Sequence, residues 1–129
     1  MFTDHQLEAL GYNVVTIEGL LDQLIPLFEH GVHYIGIYLK EKGAIMLAKN
    51  KYCLVETSYM PTTPHNTAAS GAFLGAFAIG INRKYELERF SKLCLAAALA
   101  AHSNVNQQIC TRKDVEVRLK KTKIRQLTR

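Results

Sequence analysis

Residues 64–77, with the sequence PHNTAASGAFLGAF, crowd small side chains into a turn and then continue as an apolar helix. Amide groups at a helix start lack intrahelical acceptors, and the helix dipole adds partial positive charge, so such a turn favours an anion. No Asp or Glu occurs between Glu56 and Glu86. If the turn serves phosphoryl transfer, its usual carboxylate base is missing. The alternative interpretation is an ordinary small-residue loop that enters an alanine-rich core helix.

This stretch resembles a motif of the ribokinase/PfkB family of carbohydrate and nucleoside kinases, D/N-T-x-G-A-G-D-x-F. Asn66 and Thr67 match its opening, and the family's Gly-Ala-Gly falls on Ala69, Ser70 and Gly71. In the family, the amides of this turn hold the transferring phosphate, and the Asp that follows takes the proton of the attacking hydroxyl. The resemblance therefore implies that phosphate is held by Ala69, Ser70 and Gly71.

The Asp of the family motif has no counterpart in this chain. Either one residue is deleted, or Ala72 occupies the place of the Asp. The nearest titratable side chain is that of His65, which precedes the turn and is interpreted as a surface loop histidine. The resemblance thus implies a phosphate site without a catalytic residue.

Other segments extend the resemblance along the chain. Residues 34–44, YIGIYLKEKGA, are similar to the family's strand ending in T-L-G-x-x-G-A, with Lys40 where the first Gly is usual. Glu8 is the match to the acid of the family's N-x-x-E segment. Residues 96–99 and 104–106 resemble a late helix and a nucleotide-pocket loop, most like the pseudouridine-kinase-type branch. The nucleotide-binding residues implied are Lys40, Gly43, Asn66, Thr67 and Asn106, with ATP and Mg²⁺ as cofactors of an active enzyme.

Periodicity and capping signals place the elements. A capping box begins a helix at Thr3, and Thr16 begins a second helix that Gly31 ends. Residues 32–39 read as a central strand, and 44–49 and 52–57 as a hairpin. Further helices are expected from Ser70 or Gly71 to about Ile81, over 86–101, and from the Thr111 cap to about Lys120, followed by a short strand or tail.

These elements predict an α/β fold: the C-terminal part of a ribokinase-like three-layer fold, with a central strand and a hairpin flanked by helices. We expect residues 1–129 to form a single truncated ribokinase-like C-terminal nucleotide-binding domain, because full-length family members are more than twice as long. The missing half would leave the strand over 32–39 without a neighbour that full-length relatives provide. An open edge of this kind predicts self-association or pairing with a complementary fragment.

Composition excludes several classes of protein. With 129 residues, 48% hydrophobic and 21% charged, the chain reads as one soluble globular domain. It shows no secretory signal and no apolar run of about 20 residues, so we expect a cytoplasmic protein without a membrane partner. The net charge of +5 is concentrated in residues 112–129, interpreted as a solvated helix face rather than a nucleic-acid-binding arm. The scattered histidines have no metal-ligand spacing, so no metal site is expected on them.

Two functions follow from these patterns. The first is a sugar or nucleoside kinase-like protein that retains part of an ATP site and is weak or inactive in transferring the γ-phosphate to a sugar hydroxyl. The alternative is a non-catalytic binding or assembly protein that uses its exposed sheet edge. Binding of a polyanion by the basic tail is a third, more distant hypothesis.

Overall fold

A computed structural model describes residues 1–39, 42–58, 67–102 and 111–129. Its middle layer is a five-stranded sheet in which the strands follow one another in chain order. β1 is parallel to β2, and every later pair is antiparallel. The strands are β1 Phe2–Thr3, β2 Tyr34–Tyr38, β3 Ala44–Ala48, β4 Lys51–Thr57 and β5 Thr122–Leu127.

Helices cover both faces of this sheet. On one face lie α1 and α2, with a 3₁₀ turn after α2, and on the other lie α3, α4 and α5. The bounds are α1 Asp4–Ala9, α2 Ile17–Leu24, the 3₁₀ turn Ile25–His30, α3 Thr67–Asn82, α4 Leu87–His102 and α5 Arg112–Leu119. The predicted three-layer α/β architecture is confirmed.

Side-chain alternation along the strands builds two separate cores. Ile35 and Ile37 of β2 point to the α1–α2 face, whereas Tyr34 and Tyr38 point to the α3–α4 face. The same alternation continues in β3, where Ile45 and Met46 lie on opposite faces. Both faces of the central strands are buried, which explains their nearly continuous runs of apolar residues.

Local signals set the helix ends as predicted. The side chain of Thr3 accepts a hydrogen bond from the amide of Gln6 and the side chain of Gln6 returns one, and Thr111 forms the same capping box with Asp114. Gly31 ends the segment after α2 with a φ of 90°. That segment leaves α-helical geometry after Leu24 because Pro26 cannot donate to the helix ladder.

One prediction about position is corrected by the structure. The helix predicted from Ser70 or Gly71 begins at Thr67, so the predicted turn is already the first turn of α3. The strand predicted over 32–39 pairs with the short β1 at Ile37 and Tyr38. Within the described residues, β1 does not reach positions 34–36, and that part of the β2 edge stays open.

The basic C-terminal segment divides into two elements. α5 buries none of its residues, as a solvated helix would, but residues 122–127 form the edge strand β5 against β4. Arg129, which follows β5, forms an ion pair with α2: its guanidinium lies 2.6 Å from the Asp22 carboxylate. No helix in the described part of the chain is long and apolar enough to cross a membrane.

Candidate phosphate and nucleotide site

The carboxyl ends of three strands meet at one edge of the sheet. β1, β2 and β4 run in the same direction, and pairing aligns Thr3 with Tyr38, Tyr38 with Ala44 and Ala44 with Val55. In open α/β sheets, ligands bind outside the carboxyl ends of the strands. A ligand site is therefore expected at this edge.

Helix α3 begins at the same edge. The ring of Phe73, in its second turn, lies with its centroid 5.6 Å from that of Tyr38, the last residue of β2. Ala69, one turn earlier, is 1% exposed and belongs to the core on this face of the sheet. Packing of the buried Ala69 and Phe73 thus aims the N-terminus of α3 at the carboxyl edge.

The three predicted phosphate-binding residues differ in their exposure. Ala69 is buried, Ser70 is half-buried, and Gly71 is exposed. The amide of Ala69 belongs to the first turn, where amides have no intrahelical acceptor. Gly71 lies further along, where helix geometry directs its amide to the carbonyl of Thr67. Ala69 would therefore bind a phosphate through its backbone amide and Ser70 through its hydroxyl. Gly71 has no side chain, so it leaves the helix surface open to the ligand.

The space around Gly71 shows that the chain itself does not require glycine there. A Cβ added at this position would meet no atom within 4 Å, and its backbone is not in the left-handed region. Glycine in a helix interior lowers helix stability by about 1 kcal/mol relative to alanine, so the presence of glycine at position 71 needs another explanation. Close approach of a ligand to the helix start is one such reason.

Gly43, predicted to border the nucleotide, has a structural role of its own. Its φ is +98°, and an added Cβ would lie 2.0 Å from the carbonyl oxygen of Val55. Its own carbonyl accepts a hydrogen bond of 2.9 Å from the amide of Leu39, which closes the β2–β3 turn. Gly43 thus holds this turn tightly against β4 at the carboxyl edge.

A cavity of about 810 Å³ opens at this edge on the α1–α2 face. Glu8 of α1 and Lys42 of the β2–β3 turn both line it, and Ile45 and Leu54 contribute apolar walls. Glu8 is also 3.8 Å from the imidazole of His5. Sequence reasoning identified Glu8 but missed the walls and Arg125, because pairing of β5 brings that residue in from the far end of the chain.

The residues present are compatible with a Mg²⁺–nucleotide. Proteins usually bind Mg²⁺ through one or two carboxylates together with substrate phosphates. Glu8 and Asp4 both line the cavity at the carboxyl edge and supply such carboxylates, but Ala69, Ser70 and Gly71 do not line it, and Ala69 packs on the other face of the sheet. Within the described ranges, no group of three or more His, Cys, Asp or Glu side chains forms a metal site by itself. Phosphate oxygens would therefore have to complete the shell of the ion.

Several predicted residues lie outside the described part of the chain. These are Lys40, His65, Asn66 and Asn106, and for Thr67 only the backbone is described. Their assignment to the nucleotide site remains a prediction. Ala72, which takes the Asp place in one alignment, is half-buried against the core of the α3–α4 face.

Solved structures share this arrangement over nearly the whole chain. A protein from Staphylococcus aureus that is provisionally classed as a phosphofructokinase matches 98% of the chain with a TM-score of 0.83 and 16% identity. The fold is ribokinase-like. A variant of phosphofructokinase-2 from Escherichia coli matches 92% of the chain with a TM-score of 0.74 and 18% identity.

Ribokinase from Thermotoga maritima has the same fold, with a TM-score of 0.68 and 26% identity over 92% of the chain. The chain spans only 38–42% of the length of these three proteins. No family model and no curated protein sequence matches it. The structural comparison therefore confirms the fold class expected from the sequence.

Proposed function

We propose that this protein is a sugar or nucleoside kinase-like protein that binds ATP at the start of α3 and transfers its γ-phosphate weakly or not at all. The observation that carries the proposal is the N-terminus of α3, which meets the carboxyl edge of the sheet beside Tyr38 in the fold of sugar kinases. The resemblance of residues 66–71 to the family's phosphate motif supports it.

The absence of an acid supports weak turnover. Residues 57–85 contain no Asp or Glu, and Ala72 stands where the resemblance expects the acid. A positioned general base contributes about 10²–10⁴-fold to such reactions. Phosphoryl transfer otherwise depends on positioning and charge neutralisation, which the free amides in the first turn of α3 and a Mg²⁺ ion held by Glu8 would supply.

A thermal-shift titration with Mg²⁺–ATP tests nucleotide binding. A ligand at about a hundred times its dissociation constant stabilises the folded state by roughly 2.7 kcal/mol, so we expect the Tm to rise with ATP. Gly71→Glu places a negative charge beside the proposed phosphate and should suppress this rise. Gly75→Glu is the matched control, because Gly75 lies one turn further along the same helix with equally open surroundings.

The outcomes separate clearly. Loss of the ATP response in Gly71→Glu alone supports the phosphate site. No rise in the Tm of the unmodified protein, or equal loss in both variants, contradicts it. Turnover is measured by phosphorus NMR with ribose, fructose 6-phosphate and pseudouridine as acceptors. We expect transfer close to the background rate with all three acceptors. Fast transfer to any of them would contradict the proposal that the protein is a weak kinase because it lacks the base.

A second candidate function, assembly with another chain, is favoured by the surface of α3. No charged residue occurs from Thr67 to Asn82, and the side chains of Leu74 and Ile79 are 53% and 48% exposed. A helix that is apolar all round is typically buried in a larger structure. α3 packs on β2, where the ring of Phe77 lies against Gly36 in the open part of the edge.

Under this alternative, a second copy or a complementary kinase fragment covers α3 and the open edge. Sedimentation velocity at micromolar concentration tests self-association, and Leu74→Lys should shift any dimer towards monomer. Val117→Lys on α5 is the control, since Val117 is also exposed, at 49%. A monomer that binds no second chain would contradict the assembly function but leave ATP binding intact.

A further inference from the structure

A second cavity, of about 450 Å³, lies where the C-terminal end of α3 meets α4 and α5. Its floor is apolar and is formed by Ile79, Leu93, Val115 and Leu119. Three arginines from different parts of the fold also line this cavity: Arg83 after α3, Arg89 of α4 and Arg112 of α5. The part of the chain that the structure describes contributes one acidic residue to the lining, Glu116.

Tyr85 holds two of these guanidinium groups in place. Nη1 of Arg83 donates a hydrogen bond of 3.4 Å to the phenol oxygen, and the guanidinium of Arg89 stacks over the ring at 4.1 Å from its centroid. A cation over an aromatic face is attracted by the ring quadrupole. The two guanidinium groups thus contact the same phenol side chain in spite of their like charges.

The third guanidinium is partly compensated. Nε of Arg112 lies 3.1 Å from the Glu116 carboxylate, so the lining carries three positive charges against one negative. The positive field also reaches the phenol. The hydrogen bond from Arg83 lowers the pKa of Tyr85, and the charges of Arg83, Arg89 and Arg112 act in the same direction.

The backbone fixes the base of this cluster. The amide of Arg83 donates to the carbonyl of Ile79 at 2.9 Å, and that of Tyr85 donates to Gly80 at 3.1 Å. Between them, Lys84 adopts a left-handed conformation with a φ of 54°. These bonds close the turn between α3 and α4 and direct Arg83 and Tyr85 to the same side.

We propose that this cavity binds a small organic oxyanion, a phosphate monoester or carboxylate attached to an apolar group. Arginine forks bind phosphate and carboxylate through paired charge-assisted hydrogen bonds. The aliphatic floor suits an apolar body, and the volume falls within the range of ordinary small-molecule sites, about 300–1,000 Å³. A bound anion would neutralise the excess positive charge of the cavity lining.

This site is separate from the proposed ATP site. The two lie at opposite ends of α3, and a helix of 16 residues is about 24 Å long. The proposal therefore stands even if the chain binds no nucleotide. It also gives a binding role to Arg112, which belongs to the basic segment 112–129 that was interpreted as a solvated helix face.

Isothermal titration calorimetry with phenyl phosphate, benzoate and inorganic phosphate tests the proposal. We expect saturable binding of phenyl phosphate or benzoate below about 1 mM, with inorganic phosphate weaker because it has no apolar group. The tighter of the two aromatic ligands shows whether the site prefers a phosphate or a carboxylate head group.

Variants give the decisive comparison. Arg89→Ala should weaken binding of the aromatic oxyanion about tenfold by removing one charge-assisted contact. Lys113→Ala is the charge-matched control on α5, since Lys113 does not line the cavity. Equal weakening in both variants would show unspecific attraction to a basic surface and overturn the proposal. So would the absence of saturable binding for all three ligands up to about 10 mM.

A cross-check keeps the two sites apart. Gly71→Glu should leave binding of phenyl phosphate unchanged, and Arg89→Ala should leave the ATP-dependent rise in Tm unchanged. Retention of ATP binding with loss of the oxyanion site, or the reverse, shows which proposal fails. An ATP response that disappears with Arg89→Ala would place the nucleotide in this cavity and contradict the separation.

Discussion

Gly43→Ala should be among the most damaging single-methyl additions in this protein. With a φ of +98°, an alanine in its place would be strained by about 1–2 kcal/mol. Its Cβ would also stand 2.0 Å from the carbonyl oxygen of Val55 and 3.1 Å from the carbonyl carbon. Both atoms are backbone, so relief requires a shift of β4 itself, and forced packing of this kind costs typically 1–3 kcal/mol.

The two costs combine into a measurable loss. Strain and overpacking together amount to about 2–5 kcal/mol, and the lower entropy of the unfolded chain returns up to about 1 kcal/mol. We therefore expect the free energy of unfolding to fall by about 3 kcal/mol. For a chain of 129 residues this corresponds to a Tm lower by roughly 10 °C.

Urea denaturation followed by circular dichroism gives the change in free energy of unfolding, with an unchanged m-value as the test of two-state behaviour. Gly71→Ala is the control, since its methyl group meets no atom within 4 Å and it should stabilise α3 by up to about 1 kcal/mol. A Gly43→Ala protein within about 0.5 kcal/mol of the unmodified one would refute the steric argument. If that stable variant also lost its ATP response, Gly43 would serve the nucleotide rather than the turn.

Three further predictions concern caps and charges. Lys84 has a φ of 54°, a left-handed conformation that favours glycine. Lys84→Gly should therefore raise the free energy of unfolding by about 1 kcal/mol, measured by urea denaturation. Lys84→Ala is the control and should bring no such gain. Thr111→Ala should lose about 1 kcal/mol and speed amide exchange in the first turn of α5, and unchanged exchange would contradict the capping role. The hydrogen bond from Lys51 at 2.6 Å lowers the pKa of Glu88, so this pair stabilises the fold above the ordinary Glu pKa, and the effect is lost as the pH falls through the lowered value. NMR titration should show the Glu88 pKa return towards normal in Lys51→Gln, and an unchanged value would contradict the pairing.

Signals confined to a few residues were read correctly from the sequence. The capping boxes at Thr3 and Thr111 and the left-handed Gly31 each depend on neighbours within one turn of helix. The strands β2, β3 and β4 were also found, since buried strands carry β-branched and aromatic runs. Their exact ends differed by one or two residues, which is where local signals are weakest.

Features that depend on distant partners were missed. β1 has only two residues and is recognisable through its pairing with Ile37 and Tyr38, not through its own pattern. The early start of α3 was hidden because small residues suit a turn as well as a helix. The arginine cluster joins Arg83, Arg89 and Arg112 from three elements, and no spacing in the sequence brings them together.

The candidate phosphate site could be predicted only in part from the sequence. Its motif was visible in residues 66–71 through resemblance, and the structure added the reason why the segment faces the carboxyl edge, namely the packing of Phe73 on Tyr38. The role of Gly43 against Val55 could not be read from the sequence, because it depends on the register between β3 and β4.

A sheet whose strands lie side by side in chain order has a consequence for how the protein assembles. Each strand from β2 to β4 needs only a short turn to find its neighbour, so these contacts close small loops at little entropic cost. The helices α3, α4 and α5 separate β5 from β4 in the sequence, so the pairing of these two strands closes a much longer loop. The three middle strands should therefore form early and open last, and the outer strands should be the first to detach when the protein is stressed.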